Sequence, residues 1–151
     1  MALTIQHSRR IDAQPETVWE QFGDVASWPR WLPIIRGARW LDGEPWTDGA
    51  RLRMAMAVGP ASLGVDVTIA NASPPLSVAW AAGRLGVRSL HTWTFTPDNG
   101  GTLATSHEAL DGPMPQMLGV RALRPMINRM TASWLDSLVA RVETGTSTDA
   151  T

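Results

Sequence analysis

The stretch from Pro15 to Pro33, PETVWEQFGDVASWPRWLP, limits the fold more than any other part of the chain. Pro15 suits a first helical position, where no N–H is needed. Asp12 or Gln14 can precede that turn, and Glu16 favours the positive end of a helix. Val18, Trp19 and Phe22 then form one apolar face at helical spacing. The helix cannot run on, because Pro29 and Pro33 each remove a donor and bias the residue before them away from helix. Two short helices meeting at a bend follow. Such a pair cannot bury its own tryptophans and must press against a larger sheet.

That sheet is legible on both sides of the pair. Leu3 to Ile11 alternates as a strand. Further strands are predicted at Ala38 to Leu41, Ala50 to Val58, Leu63 to Ala72, Ser77 to Ala82, Val87 to Thr96 and Thr102 to Leu110. Asp48-Gly49, Gly59-Pro60, Pro74-Pro75, Gly83 to Gly86 and Asp98 to Gly101 separate them as turns. The short connections favour antiparallel hairpins over crossover helices. From Gly112 the period changes. Met117, Leu118, Val120 and Leu123 precede Pro125, which opens or kinks the main helix. Ile127, Met130, Trp134, Leu138 and Val142 then recur at helical spacing, widened by Leu135 and Val139. From Met126 to Glu143 that helix spans about 27 Å, enough to cross a sheet. Gly145 to Thr151 is small and polar, and reads as a disordered tail.

The expected architecture is α+β. A curved antiparallel sheet of about seven strands wraps round a long C-terminal helix, with two short helices after the first strand. One domain over residues 1–144 accounts for it, long enough to bury about 68–70% of its unfolded surface. A strongly curled sheet with a helix in its concave side tends to leave a gap between them, where a small molecule can sit.

Composition narrows the chemistry. The chain contains no Cys and no Tyr, and all thirteen of its basic side chains are Arg. A thiolate nucleophile, a phenolic acid and a lysine Schiff base are therefore excluded. Proton carriers must come from three His and fourteen Asp/Glu. The net charge of −1 and pI near 6.3 predict no overall field for nucleic acid or an anionic membrane. No stretch approaches the roughly 20 apolar residues of a membrane span, and the N-terminus lacks the pattern of a secretory signal, so a cytoplasmic location is the expectation.

Ile11-Asp12-Ala13, Pro15-Glu16-Thr17-Val18-Trp19, Asp24-Val25 and Trp28-Pro29-Arg30-Trp31-Leu32-Pro33 together resemble the START-like, Bet v 1-type (SRPBCC) superfamily. The branch is the bacterial polyketide cyclase/dehydrase-like one. Gly49, Pro74-Pro75 before a strand ending in Trp80, and the segment from His91 to Glu108 support the likeness over nearly the whole chain. The resemblance implies a helix-grip fold with a deep cavity for an apolar ligand. It spans carriers of lipids and isoprenoids, hormone sensors, and enzymes acting on polyketide chains. Some enzymatic relatives use Tyr or Lys in the cavity, and this chain has neither.

Asn99-Gly100 is a strong type I′ turn signal, because both central residues need positive φ. A two-residue loop there pairs Asp98 with Gly101; Phe95 then faces Ala104, Trp93 faces Ser106 and His91 faces Glu108, these three pairs all on one side of the sheet. Thr92, Thr94, Thr96, Thr105 and His107 take the other. Opposed Cβ atoms sit about 4.5–5.5 Å apart, so His91 and Glu108 can touch. A carboxylate raises a histidine pKa, whereas desolvation lowers it. The pair is a candidate acid–base or ligand-binding couple, or else two inward groups that satisfy each other.

Other candidates for lining the cavity are Trp80, Trp93, Phe95, Ser106, Arg53, Met117, Ile127, Met130 and Trp134. Trp80 and Trp93 can stack on a flat ligand or serve as core. Arg51 and Arg53 alternate with Met54 and Met56, and either set can face inward. One of Arg9 and Arg10 points to the concave side. Met117 and Met114 sit at the hand-over to the helix, where flexible thioethers suit an adaptable mouth. Trp28 and Trp31 read as packing residues of the bend. The segment from Gly83 to Gly86 is a hairpin turn or a rim loop. His91 and His107 point to opposite faces, and no zinc motif, GxGxxG or P-loop lysine occurs, so neither a metal nor another cofactor is expected.

The leading expectation is a binding domain for a polyketide-like, aromatic or lipid-like small molecule, acting as a monomer or homodimer. A cofactor-independent cyclase or dehydratase using His91 and Glu108 is one alternative. An interaction module with its interior filled by Trp and Met is another.

Overall fold

The computed structural model describes residues 2–149, with side chains as far as 145. Strand β1 covers Leu3–Ile11, followed by helix α1 (Pro15–Phe22), a 3-10 turn at Val25–Ser27 and helix α2 (Trp28–Trp31). Six strands come next: β2 (Ile35–Asp42), β3 (Arg51–Val58), β4 (Ala61–Ser73), β5 (Ser77–Arg84), β6 (Val87–Asp98) and β7 (Gly101–Asp111). Helix α3 (Met114–Ala122) leads into α4 (Arg124–Asp149). The strands form one antiparallel sheet in the order β1-β7-β6-β5-β4-β3-β2. The first strand thus returns beside the last, and α4 packs against β1 and α1.

Pro15 stands in the first turn of α1, as its missing N–H predicts, with Gln14 before it. The helix ends where tryptophans take over its orphan carbonyls. The Trp28 indole N–H donates to the Phe22 carbonyl at 2.9 Å, and the Trp46 indole to that of Gly23 at 2.8 Å. Trp28 is fully buried, with ring contacts to Phe22, Trp46, Trp80 and Trp134. The bend between the short helices therefore closes one end of the core rather than floating on the surface. Trp31, half-buried, donates to the Ser27 hydroxyl at 3.0 Å.

Polar ties hold α4 along the first strand. Arg9 donates to Asp136 at 2.8 Å, the His7 ring sits 3.1 Å from the Asn128 amide oxygen, and the Asp12 N–H donates to Glu143. Arg9 is thus the arginine on the helix side. Arg10 faces outward and donates to the Asp98 and Asn99 carbonyls. The tail predicted from Gly145 is instead helical as far as Asp149. Extending an established helix fixes one residue per hydrogen bond gained, so small polar residues can follow where they could never start one. Residues 150 and 151 lie outside the described residues.

The sheet has one seam. β4 and β5 pair from Thr68 with Ala81 to Ser73 with Ser77. Before Thr68, β4 pairs only with β3, and beyond Ala81, β5 pairs only with β6. The two strands splay toward the Gly59-Pro60 and Leu85-Gly86 turns, leaving a gap in the wall.

Gly112 shows how tightly the same end is built. A Cβ added there would stand 2.2 Å from the Gly86 carbonyl oxygen, a contact between two backbones that no rotamer can relieve. Gly112→Ala is expected to cost about 1–3 kcal/mol, and the melting temperature falls by roughly 2–4 °C for each. A thermal melt that matches the parent protein would show that the β5–β6 turn does not rest on this glycine.

Candidate functional site

The site begins at a turn. Asn99 and Gly100 both adopt positive φ, 49° and 80°, and Asp98 pairs with Gly101. The register that follows opposes Phe95 to Ala104, Trp93 to Ser106 and His91 to Glu108, with the first of each pair buried on the concave side. His107 and the threonines alternate onto the outer face.

His91 is only 8% exposed. Its ring stacks on Trp93 at 4.7 Å and meets the edges of Trp80 at 5.3 Å and Trp134 at 6.4 Å. Nε2 lies 2.6 Å from the Ser106 hydroxyl, while Nδ1 is 3.9 Å from Glu108 Oε2, too far for a hydrogen bond. Desolvation therefore decides the charge. Burial, with a smaller push from His107, drives the imidazole down to about 3, and burial raises the Glu108 carboxyl above its ordinary range. The imidazole is neutral at pH 7, next to an acid with a strengthened hold on its proton. If Ser106 donates to Nε2, the ring proton sits on Nδ1. If Nε2 donates to Ser106, Nδ1 becomes an acceptor facing Glu108.

Between the sheet and α4 lies a hollow of about 220 Å³. Met54 and Met56 of β3, Val65 and Val67 of β4, and Trp80 and Ala82 of β5 form one wall. Ser89, His91 and Glu108 of β6 and β7 form another, and Ile127, Met130, Thr131 and Trp134 of α4 close it with Ile34. His91 and Glu108 are the ionisable groups on this lining. Of the candidates from sequence, the structure brings Trp80, His91, Glu108, Ile127, Met130 and Trp134 together on this lining.

Five predicted residues take other places. Trp93, Phe95 and Ser106 point inward but stand behind the lining, fully buried. Phe95 lies four residues along the strand from His91, about 13 Å, and packs on Phe22 and Trp19 instead. Met117 belongs to a separate cluster with Leu3, Ile5 and Leu110, because α3 is its own helix with its own buried face. Arg53 faces outward and forms a bidentate pair with Asp66, at 2.7 and 2.9 Å. That pair holds the Asp66 carboxyl below its usual range. Met54, the alternate residue, takes the inward position. Sequence reasoning misses Ala82, Ser89 and Thr131 although parity with Trp80 and His91 and helical spacing from Ile127 mark them; Val65 comes in only through its pairing with Met54 across β3 and β4.

The gap between β4 and β5 holds an open groove of about 540 Å³, lined by Leu63, Val65, Ala82, Arg84, Val87 and Ser89 with the Arg53–Asp66 pair on its outer lip. Val65, Ala82 and Ser89 border both spaces, so the groove adjoins the hollow. Among the described residues, the indole N–H groups of Trp93 and Trp134 are buried with no protein hydrogen-bond partner. Here the interior favours aromatic surface over polar satisfaction.

Residues 2–143 match the model of the family described as polyketide cyclase / dehydrase and lipid transport. The chain belongs to that family. Solved structures agree with this polyketide cyclase-like assignment at the level of fold. The Zhui aromatase/cyclase from Streptomyces sp. R1128 superposes with a TM-score of 0.80 at 14% identity, over 95% of this chain and 94% of that one. A START superfamily protein from Mycobacterium smegmatis gives 0.68 at 17% identity, over 93% and 97%. A norcoclaurine synthase point mutant from Thalictrum flavum, in complex with a transition-state analogue, gives 0.74 at 14% identity, over 97% of each chain. No curated protein matches the sequence. Among the described residues, no helix is long and apolar enough to cross a membrane.

Proposed function

We propose that this polyketide cyclase-like chain binds a small aromatic carbonyl or hydroxyl compound in the hollow, with its oxygen at His91 and Glu108. The observation that carries the reading is the lining: an apolar chamber of about 220 Å³ with one imidazole and one carboxyl on its wall. Its size selects among the ligand classes. Drug-sized sites run from about 300 to 1,000 Å³, and an apolar cavity of about 150 Å³ holds benzene. One or two fused rings suit this space, and a lipid chain or a whole folded polyketide does not, unless its remainder leaves through the β4–β5 gap. The same volume argues against a filled interior.

The meeting of an imidazole and a carboxyl on one wall of the hollow supports a second, catalytic reading. A neutral imidazole can accept a proton, and a carboxyl with a strengthened hold on its proton can donate one, side by side on one wall. On a β-hydroxy ketone, His91 would take the α-proton while Glu108 protonates the departing hydroxyl. A C–H and a C–O bond break, a C=C bond forms and water leaves.

Thermal shift with 1-tetralone, tetralin and palmitate tests the binding reading. Tetralone at a hundred times its Kd stabilises a binder by about 2.7 kcal/mol. Tetralin is expected to shift the melt less and palmitate least. His91→Phe and Glu108→Leu are expected to erase the preference for the ketone over the hydrocarbon. Equal shifts with all three, or none, would overturn the assignment. Glu108→Gln, which binds but cannot donate that proton, separates catalysis from binding when a β-hydroxy ketone is followed by absorbance.

A further inference from the structure

The end of the molecule where the seam opens carries an unusual surface. Leu85, at the tip of the β5–β6 turn, is 83% exposed, and Met114 and Leu118 of α3 are 66% and 63% exposed. These residues are neighbours. Gly86 approaches the Gln116 side chain at 3.4 Å from a built Cβ, and Leu85 and Gly112 border one surface depression, as Gly112, Met114 and Leu118 border the next. Leu123 and Met126, at the hand-over to α4, continue the exposed apolar series. Apolar side chains in this number, projecting from a turn and a short helix, mark an interaction surface rather than scattered exposure.

Charge says what kind. Between Asp66 and Asp98 the chain has Arg84 and Arg88 and no acid, and between Asp111 and Asp136 it has Arg121, Arg124 and Arg129 and no acid. Arg88 is 3.7 Å from Asp111, and Arg124 reaches the Thr4 carbonyl at 3.4 Å. Arg84 and Arg121 have no ion-pair partner among the described residues. They flank the apolar tip from either side of Gly112. Asp66 and Asp111, the acids beside this face, are each paired with an arginine, Arg53 and Arg88, so Arg84 and Arg121 are left as its uncompensated charges among the described residues.

We propose that this face docks on an anionic lipid bilayer, with Leu85, Met114 and Leu118 in the headgroup–acyl boundary and Arg84 and Arg121 on lipid phosphates. Protruding aliphatic and thioether side chains between guanidinium groups are the chemistry that interfacial binding needs, attraction to anionic lipid added to a modest apolar insertion. A rigid acidic protein would match the arginines but not the protruding tip. Position supports the bilayer too. Arg84 and Val87 also line the groove that adjoins the hollow, so docking sets that gap against the lipid. The proposal stands on the surface alone, whatever the hollow contains.

Co-sedimentation of the full chain with vesicles of phosphatidylcholine, with and without phosphatidylglycerol, tests it. The protein is expected to pellet with the phosphatidylglycerol vesicles, to stay in solution with phosphatidylcholine alone, and to be released by salt. Arg84→Gln and Arg121→Gln are each expected to lower the partition coefficient about fivefold. Met114→Gln with Leu118→Gln, both exposed and checked by an unchanged melt, is expected to abolish most of the binding. No pelleting, equal pelleting with both vesicles, or wild-type binding by the Met114/Leu118 variant would overturn the proposal. So would a dimer, seen by light scattering without vesicle binding, that the same variant breaks up; the face would then be a self-interface.

Discussion

Below pH 6.5 the fold is expected to lose stability steadily as far as about pH 3, and His91 is the cause. Its folded-state value lies near 3, against 6.5 for the free side chain. Between those values the unfolded chain binds a proton that the folded chain refuses, so stability rises with pH across the window and falls on acidification. A separation of this size corresponds to about 5 kcal/mol once the pH reaches 3, a large share of the 5–15 kcal/mol typical of a domain. Glu108 tilts the other way. Its carboxyl is raised above 4.5, so its contribution is fully present below that pH and is lost as pH climbs through the raised value. Urea denaturation from pH 7 to 3 separates them. His91→Phe is expected to flatten the acid limb, and Glu108→Gln to raise stability at pH 7. An acid limb in His91→Phe as steep as in the parent would sink the account.

Trp28→Ala carries the next largest expected effect, about 3–5 kcal/mol. The ring is fully buried, and the cavity left behind would open onto Trp80 and Trp134, both on the hollow's wall. Losing the indole also leaves the Phe22 carbonyl without its donor, adding about 1 kcal/mol. Trp28→Phe keeps most of the surface and forfeits only the hydrogen bond, so it is expected to cost far less. Chemical denaturation of both variants checks this. Equal costs would mean that the hydrogen bond, not packing, anchors the bend.

Much of this was legible beforehand because some residues leave the backbone few options. Asn99-Gly100 admits one tight turn, and from that turn each inward pair of β6 and β7 follows by counting. Pro15 opens the first short helix and Pro33 follows the second; Pro29, expected to stop a helix, instead stands in the first turn of the second, with Trp28 before it already helical. Ambiguity remained where two residue types alternate and either suits either face. Arg53 and Met54 are the case in point, and Asp66 settles it from a neighbouring strand whose register no local signal announces. Met117 was misplaced because the chain turns at Leu123, so two helices with different buried faces look like one periodic run. The site's electrostatics lay further out of reach. Sequence opposes an imidazole to a carboxyl, but the 3.9 Å between them and the three indoles round the ring decide that the imidazole stays neutral.

The tip of the β6–β7 hairpin has leverage out of proportion to its size. It touches nothing in the chamber, yet its two residues dictate which half of each strand looks inward. One amino acid more at Asn99-Gly100, absorbed as a one-step slide of β7 against β6, would carry Ser106 and Glu108 out to water and bring Thr105 and His107 inside. The proposed site is therefore inherited by count as much as by kind, and a single insertion at a solvent-exposed corner would dismantle it without altering any residue on its wall.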